Sequence, residues 1–450
     1  MQSKDDSNLR CPIGRVNRLI GWSVLEDRTT KKAIFSPRGQ VSRHDVRMSG
    51  FAHRSSVAEA IAWIDSVIPS LQTEKIALDR STDRVLAQAI TSGVDVPGFR
   101  RGMMDGFAVR ASDLRKASES EPVVLRVVGD VYPGKPYSSP LSSMHAIRIM
   151  TGAPMPPECD VVIPVEDVRL QDDQIVVSHP VATGKHVGLP GEDVASGTLV
   201  LAAGRRIRPQ DIGLLSSIGI DAVEVLCKPR VHLITTGNEL LPAGTPPKDF
   251  MITDANSPML ESLIRRDGGY VTSAGIVPDD PECILKAFQA EVEIIIVSGG
   301  SSVGLEDHVP QLLAEHGELG IHGVQMRPSS PVGIGIFKTR LVFLLPGNPV
   351  SCLCGYDFFA GRAIRKLTGR GAALPYREQR LPLGESMLSV EGRKDYVRVQ
   401  IEEGKVTKVM PQGAAMLFSA VRADGFVVIS EEAGSLKTGE MVTVYLYEPR

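Results

Sequence analysis

Residues Glu293 to Asp307 read EIIIVSGGSSVGLED. Four β-prone apolar residues, Ile294 to Val297, run straight into Ser298-Gly299-Gly300-Ser301-Ser302-Val303-Gly304. An apolar run of this length, ended by glycines, has the pattern of a fully buried strand in a parallel sheet. The glycines let the backbone turn sharply and approach a ligand with no Cβ in the way. Successive backbone N–H groups and serine hydroxyls can then cradle an oxyanion. A carboxylate just beyond, Glu306 or Asp307, is placed to hold a neutralising cation. The run therefore suggests a phosphate-bearing substrate. Taken alone, it reads equally well as a glycine-rich surface loop.

The rest of the chain supplies the context. At 450 residues it exceeds what one hydrophobic core supports, so roughly two to four domains are expected. Composition is that of a packed globular protein, 42% hydrophobic and 23% charged. Aromatic residues are sparse at 5%, which argues against stacking platforms for single-stranded nucleic acid. A net charge of −3 gives no general attraction to nucleic acid or anionic membrane. No apolar run approaches the length of a membrane span and no secretory h-region is visible. The six cysteines are scattered, which fits reduced thiols in a cytoplasmic protein. Cys352 and Cys354 lack a second ligand pair and read as small buried residues.

Residues 1–53 carry ten Lys/Arg against five Asp/Glu with weak periodicity. They read as a poorly ordered basic extension, or as sequence upstream of a true start at Met48. Ser56-Val57-Ala58-Glu59 is a capping box, and Val57, Ile61 and Ile64 share a helical face, so a helix is expected to about Ser70. Short β-type runs separated by Gly and Pro fill residues 96–193. Segments 54–95 and 194–228 flank them and read as one discontinuous domain, its second helix returning onto the first. Over 229–372 the strands VHLI, GYVTSAGI, EIIIV and LVFLL alternate with helical stretches, the signature of βαβ units and a mostly parallel sheet. Residues 373–450 return to β alternation as a small C-terminal domain.

Three strand-end loops of the α/β segment share one design: Thr235-Thr236-Gly237-Asn238-Glu239, the Ser298–Gly304 run, and Pro346-Gly347-Asn348-Pro349. Pro fixes geometry, Gly admits a ligand, and Asn348 is placed to cap the helix behind it. Right-handed crossovers would bring such loops to one crevice; three ordinary βα turns are the alternative. Upstream, PGFRRGMMDGFA sets Asp105 between glycine turns, IMTGAP presents Thr151, and Gly191-Glu192-Asp193 forms an acidic turn. Each of these acids also fits a solvated turn. Asp279-Asp280 reads as the cap of a helix from Pro281.

Taken in order, PGF…MDGFAVR, IMTGAPMP, GED, TTGNELL, ITDANSPML, GIVPDD, SGGSSVGLED and LPGNPVS resemble the molybdopterin molybdenumtransferase family, bacterial MoeA and the gephyrin E domain, from about residue 55 to the C-terminus. The resemblance implies four domains: a central three-layer α/β domain of the molybdenum-cofactor-binding type, flanked by small β domains and the discontinuous one. It implies an elongated homodimer and an enzyme that inserts molybdate into adenylated molybdopterin with Mg²⁺, releasing AMP. The adenylyltransferase acting one step earlier is an implied partner; no nucleic acid or membrane is. By the same resemblance Glu239, Asp193, Asp307 and Thr151 are catalytic, and Asp307 and Asp279 bind the metal. Ser298, Gly299, Gly300, Ser302, Gly304, Pro346, Gly347, Asn348, Pro349, Arg100, Arg327 and Asp105 contact substrate.

Three departures stand out. Arg100 occupies a position where the family commonly has an acid or proline. Pro328-Ser329-Ser330-Pro331 lacks the lysine of a PGKP-type loop. Gly188-Leu189-Pro190 lacks the arginine often found before GED. Arg100, Arg101 and Arg327 are the candidates to replace those cations, since guanidinium binds oxyanions bidentately. The alternative reading is a catalytically weakened paralogue that binds molybdopterin as a scaffold.

Overall fold

The computed structural model describes residues 54–70, 72–300 and 308–447. The expectations for residues 1–53 therefore lie outside the described residues. The described chain gathers into two compact units, Lys75–Val225 and the segments on either side of it.

The flanking unit opens with the helix Val57–Val67. The Ser56 hydroxyl accepts the Glu59 N–H at 3.1 Å, and the Glu59 carboxylate accepts the Ser56 N–H at 2.7 Å. This reciprocal pair is the expected capping box. The helix ends three residues short of Ser70, at Val67. Its buried face, Val57, Ala60 and Ile64, joins a core with Leu233, Ile294 and Phe343 of the main sheet.

That sheet has six strands, in the order Tyr270–Val277, Arg230–Thr236, Ile294–Ser298, Arg340–Leu345, Gly333–Phe337, Glu318–His322. The first four are parallel; Gly333–Phe337 runs antiparallel to both of its neighbours, so Glu318–His322 points the same way as the first four. Ile294 and Ile296 enter one core with Leu260, Ile264 and Ile364, whereas Ile295 and Val297 enter another with Ile284, Phe288 and Leu313. Period-2 alternation thus meets helices on both faces, which is why EIIIV reads as uninterrupted apolar sequence.

Within the same unit a second six-stranded sheet runs Met326–Arg327, Lys394–Glu402, Gly425–Ile429, Met441–Leu446, Arg377–Pro382, counting five on its path, with Lys405–Lys408 paired to Lys394–Glu402. Met326–Arg327 is contributed from the α/β part of the chain and sets Arg327 opposite Asp395.

The Lys75–Val225 unit is built on a sheet ordered Val161–Pro164, Gly106–Val109, His145–Ile149, Val123–Val131, Gln174–Val177, Arg169–Gln171. Its two faces carry separate cores, Val109, Leu125 and Ile163 on one and Ala108, Ile147 and Val162 on the other. A third core surrounds the helix Pro209–Ser217, whose Leu215 packs with Leu78, Leu86, Ile207 and Val225. The first helix, Val57–Val67, belongs to the core of the flanking unit described above.

Cys159, Cys227, Cys283, Cys352 and Cys354 are free thiols, and burial pushes Cys352 up to about 12. Among the described residues no group of His, Cys, Asp and Glu forms a metal cluster, and no helix is long and apolar enough to cross a membrane.

Candidate active site

Arg230–Thr236, Ile294–Ser298 and Arg340–Leu345 are parallel neighbours in register, with Thr235 opposite Ser298 and Ser298 opposite Leu345. Their C-terminal loops therefore leave the sheet along one edge, the ligand-binding edge of open α/β sheets. Gly299 adopts φ +99°, and a Cβ there would lie 2.3 Å from the Thr236 carbonyl oxygen. Only glycine lets the first two loops approach so closely. Gly300 follows at φ +56°. Ser302, Gly304 and Asp307 lie outside the described residues.

The acids of this edge separate by role. Asp280 is the N-cap of the helix Pro281–Ala287 and accepts the Cys283 N–H at 2.9 Å, which lowers its pKa. Asp279 does not cap; it accepts the Thr236 hydroxyl and its N–H faces Asn238 Oδ1 at 3.4 Å. The joint cap expected of the pair thus splits, because only the second acid has N-cap backbone geometry. Glu239 folds back over Gly237, where an added Cβ would lie 2.8 Å from Glu239 Oε2. Asn348 stands at the N-cap of Pro349–Gly355, but its side chain makes no cap hydrogen bond. It lines a cavity instead, which corrects the capping expectation.

Asn256 ties these loops together. It begins the helix Asn256–Asp267, is 6% exposed, and donates through Nδ2 to Ser298 Oγ at 2.9 Å and to the Gly347 carbonyl at 2.7 Å. Its Oδ1 is buried without a partner among the described residues. Ser257 meets Thr235 Oγ1 at 2.5 Å, and Asp254 accepts the Asn256 and Ser257 N–H groups. Sequence reasoning quoted this stretch without giving Asn256 a role. The usable signal was an Asp-x-Asn-Ser cluster opening a helix.

Beside the Pro346–Asn348 loop lies a cavity of about 600 Å³. Its walls come from the Arg327–Pro331 segment, from Pro346 and Asn348, and from the C-terminal sheet, which supplies Arg398 and Lys408. Arg327 is exposed at the cavity, its guanidinium 3.5 Å from the buried Asp395 carboxylate that Arg393 also grips at 2.7 and 3.0 Å. Arg398 is the unforeseen residue. It is 2% exposed, its Nε has no partner and no carboxylate pairs with it among the described residues; burial lowers its pKa. A buried cation without a counter-ion is costly, and a bound anion would offset that cost.

The Lys75–Val225 unit carries the remaining candidates. Asp105 Oδ1 accepts both the N–H and the hydroxyl of Thr151, at 2.7 and 2.8 Å, and these two donors hold its carboxyl below the usual range. Arg101 grips Glu192 at 2.6 Å, with Leu189 N–H on the other oxygen, so Glu192 is depressed as well. Arg100 donates to the Cys159 carbonyl at 3.0 Å. Arg101 is thus engaged by an acid of its own unit, and Arg100 by a backbone carbonyl. Asp193 is exposed in the turn after Gly191.

Comparison with known proteins follows the same lines. The chain is 31% identical over 387 residues to a molybdopterin molybdenumtransferase of Haemophilus influenzae, covering 83% of this chain and 93% of that one. It is 32% identical over 402 residues to molybdopterin molybdenumtransferase 2 of Mycobacterium tuberculosis, covering 87% and 99%. The chain belongs to the molybdopterin molybdenumtransferase family. Family models match as the MoeA N-terminal region (domain I and II) at residues 55–219, a "Probable molybdopterin binding domain" at 232–366, and the MoeA C-terminal region (domain IV) at 380–447. A solved molybdopterin biosynthesis MoeA protein from Pyrococcus horikoshii superposes with TM-score 0.78 at 33% identity, over 88% of this chain and all of that one. Another solved structure, of a molybdopterin biosynthesis MoeA protein from Pyrococcus horikoshii OT3, superposes with TM-score 0.74 at 30% identity, over 88% of this chain and all of that one. In this molybdenumtransferase fold, the strand-end loops and the cavity both fall in the flanking unit.

Proposed function

We propose that this chain is a molybdenum insertase. It takes adenylated molybdopterin and molybdate, releases AMP, and leaves molybdenum on the dithiolene of the pterin. The observation that carries the reading is Arg398, a buried cation with no counter-ion among the described residues, in a cavity adjoining a strand-end cradle.

Ser298, Gly299 and Gly300, continued by Ser302 and Gly304, cradle the phosphates or pterin. Gly347 and Asn348, framed by Pro346 and Pro349, form the wall shared with the cavity. Arg327 and Arg398 hold the molybdate oxyanion. Asn256 keeps the cradle and the Pro346–Pro349 loop in register. The chemistry is mostly positioning and charge balance, with fixed donors and cations facing oxygens whose charge grows as the phosphoanhydride breaks. Glu239 and Asp279 are the acids placed to orient a water or the metal there. Asp279 fits Mg²⁺, a hard cation that keeps several waters and needs one or two carboxylates besides the substrate phosphates. Asp307 would be the second. Bound Mg²⁺ would neutralise phosphate charge.

The same reading assigns Asp193, Thr151, Asp105 and Arg100 to the opposite wall, contributed by the β domain of a second subunit in a homodimer. It takes the α/β domain as three-layered, within four domains bounded as the sequence suggests. It places the enzyme in the cytoplasm, receiving substrate from an adenylyltransferase. The decisive experiment supplies purified protein with adenylated molybdopterin, molybdate and Mg²⁺ and measures AMP. Molybdate-dependent AMP release with formation of active cofactor is expected; its absence at saturating substrate rejects the insertase.

A further inference from the structure

The Arg327–Pro331 loop brings hydroxyls to the cavity where a lysine would be expected, and neither hydroxyl is idle. Ser329, held at φ +86°, donates to the Ser351 carbonyl at 2.8 Å, and Ser330 donates to the Val324 carbonyl at 3.3 Å. Arg100 and Arg101 belong to the other unit and are engaged there. The cavity nevertheless has a third cation. Lys408 ends the strand Lys405–Lys408 and lines the same space as Ser330, Arg327 and Arg398.

Lys408 is also anchored. Its backbone N–H donates to Glu385 Oε1 at 2.7 Å, its Nζ donates to the Ser386 carbonyl at 3.1 Å, and Glu385 Oε2 stands 3.5 Å from Nζ. An ammonium has three N–H donors. One is satisfied by the carbonyl, and the carboxylate contact is long and partly exposed, so it is weak. We infer that Lys408 is an oxyanion contact of this cavity, supplying from the C-terminal sheet the positive charge that the Arg327–Pro331 loop lacks, with Glu385 as its competitor when the cavity is empty. This rests on the cavity being the oxyanion site.

Two features make the assignment more than a charge near a hole. The cavity-lining cations Arg327, Arg398 and Lys408 come from three neighbouring strands of one sheet, with Arg327 opposite Asp395 and Lys408 opposite Val399, so their spacing is set by backbone. Among the described residues no carboxylate lines the cavity. Lys408 can therefore answer an anion more strongly than it answers Glu385, and charge-assisted bonds to a bound oxyanion are the stronger kind.

The test titrates inorganic molybdate into the intact protein by calorimetry, with inorganic phosphate as competitor. Lys408→Met is expected to weaken molybdate binding about threefold to tenfold. Lys408→Arg is expected to retain it. Glu385→Gln is expected to tighten it, a change of opposite sign that a purely structural lysine would not produce. Binding unchanged in Lys408→Met while Arg398→Ala loses it would overturn the role of Lys408 and leave the cavity reading intact; so would a Glu385→Gln variant no tighter than wild type. Binding unchanged in Arg398→Ala as well would overturn the oxyanion cavity itself.

Discussion

At the residue scale, Arg398 shows how function and stability pull apart. Its strand is apolar on both sides of it, Val397 and Val399, and the guanidinium lies in a protein interior without a carboxylate among the described residues. Replacing an uncompensated buried charge by an apolar side chain of similar reach removes a desolvation penalty. Arg398→Met is therefore expected to raise the stability of the unliganded protein by about 1–3 kcal/mol while abolishing molybdate binding. Thermal melting with and without molybdate checks both halves: the variant melts higher alone and gains nothing from the ligand. A variant that melts lower and still responds to molybdate contradicts the assignment. Arg398 was not legible in the sequence, because an arginine in DYVRVQI reads as the solvated face of an alternating strand. Only tertiary structure shows that both faces of that strand are covered. Glycine was more legible: SGG at a strand end demanded close backbone approach, and Gly299 against the Thr236 carbonyl is that approach.

At the element scale, the parallel strands and their helices were readable because burial on both faces leaves long apolar runs between turn signals. The antiparallel edge, Gly333–Phe337 and Glu318–His322, was not. Its strands carry Gly320, Gly333 and Gly335, which weaken any strand signal, and the reason for them is packing. A Cβ on Gly320 would lie 2.2 Å from the Trp63 ring, and one on Gly335 would lie 2.1 Å from the Glu318 carbonyl. The helix Pro209–Ser217 offers a pH test of how an element is anchored. Asp211, 4% exposed, accepts the Arg208 N–H at 2.9 Å and guanidinium bonds from Arg208 and Arg205 at 3.0 to 3.3 Å. Hydrogen bonds from Arg208 lead the causes that hold its carboxyl far below the usual range. A depressed carboxylate stabilises the fold above its unfolded pKa of about 3.9 and loses that contribution as pH falls through the folded value. Asp211→Asn is thus expected to lower stability by about 2 kcal/mol at neutral pH. The difference from wild type should hold constant down to about pH 4.5 and shrink below it. Urea melts across pH 3 to 8 measure this, and a difference that grows on acidification would contradict the sign.

At the scale of the whole molecule, the Lys75–Val225 unit behaves as an insertion. The chain enters and leaves it through paired strands, Thr73–Ala77 and Ala222–Leu226. Their pairing is fastened by the Leu78 N–H on the Asp221 carbonyl at 2.7 Å and the Cys227 N–H on the Gln72 carbonyl at 2.9 Å. Ends held this close place little demand on the surrounding chain, which is how inserted domains are tolerated. The unit has three cores of its own, and at about 150 residues it is large enough to bury most of its apolar surface. A fragment of residues 72–228 should therefore fold alone. Its circular dichroism melt is expected to be a single cooperative transition, and Asp211→Asn should destabilise the fragment as much as it destabilises this unit in the full chain. The Asp105–Thr151 pair lies wholly inside the fragment. Asp105 should accordingly titrate below the ordinary carboxylate range in its NMR spectrum, and Thr151→Val, which keeps the N–H but removes the hydroxyl, should move it part of the way back. A fragment with no cooperative transition would mean that these cores depend on the flanking unit. A folded fragment with an ordinary Asp105 would instead mean that the Thr151 contact forms only in the complete chain.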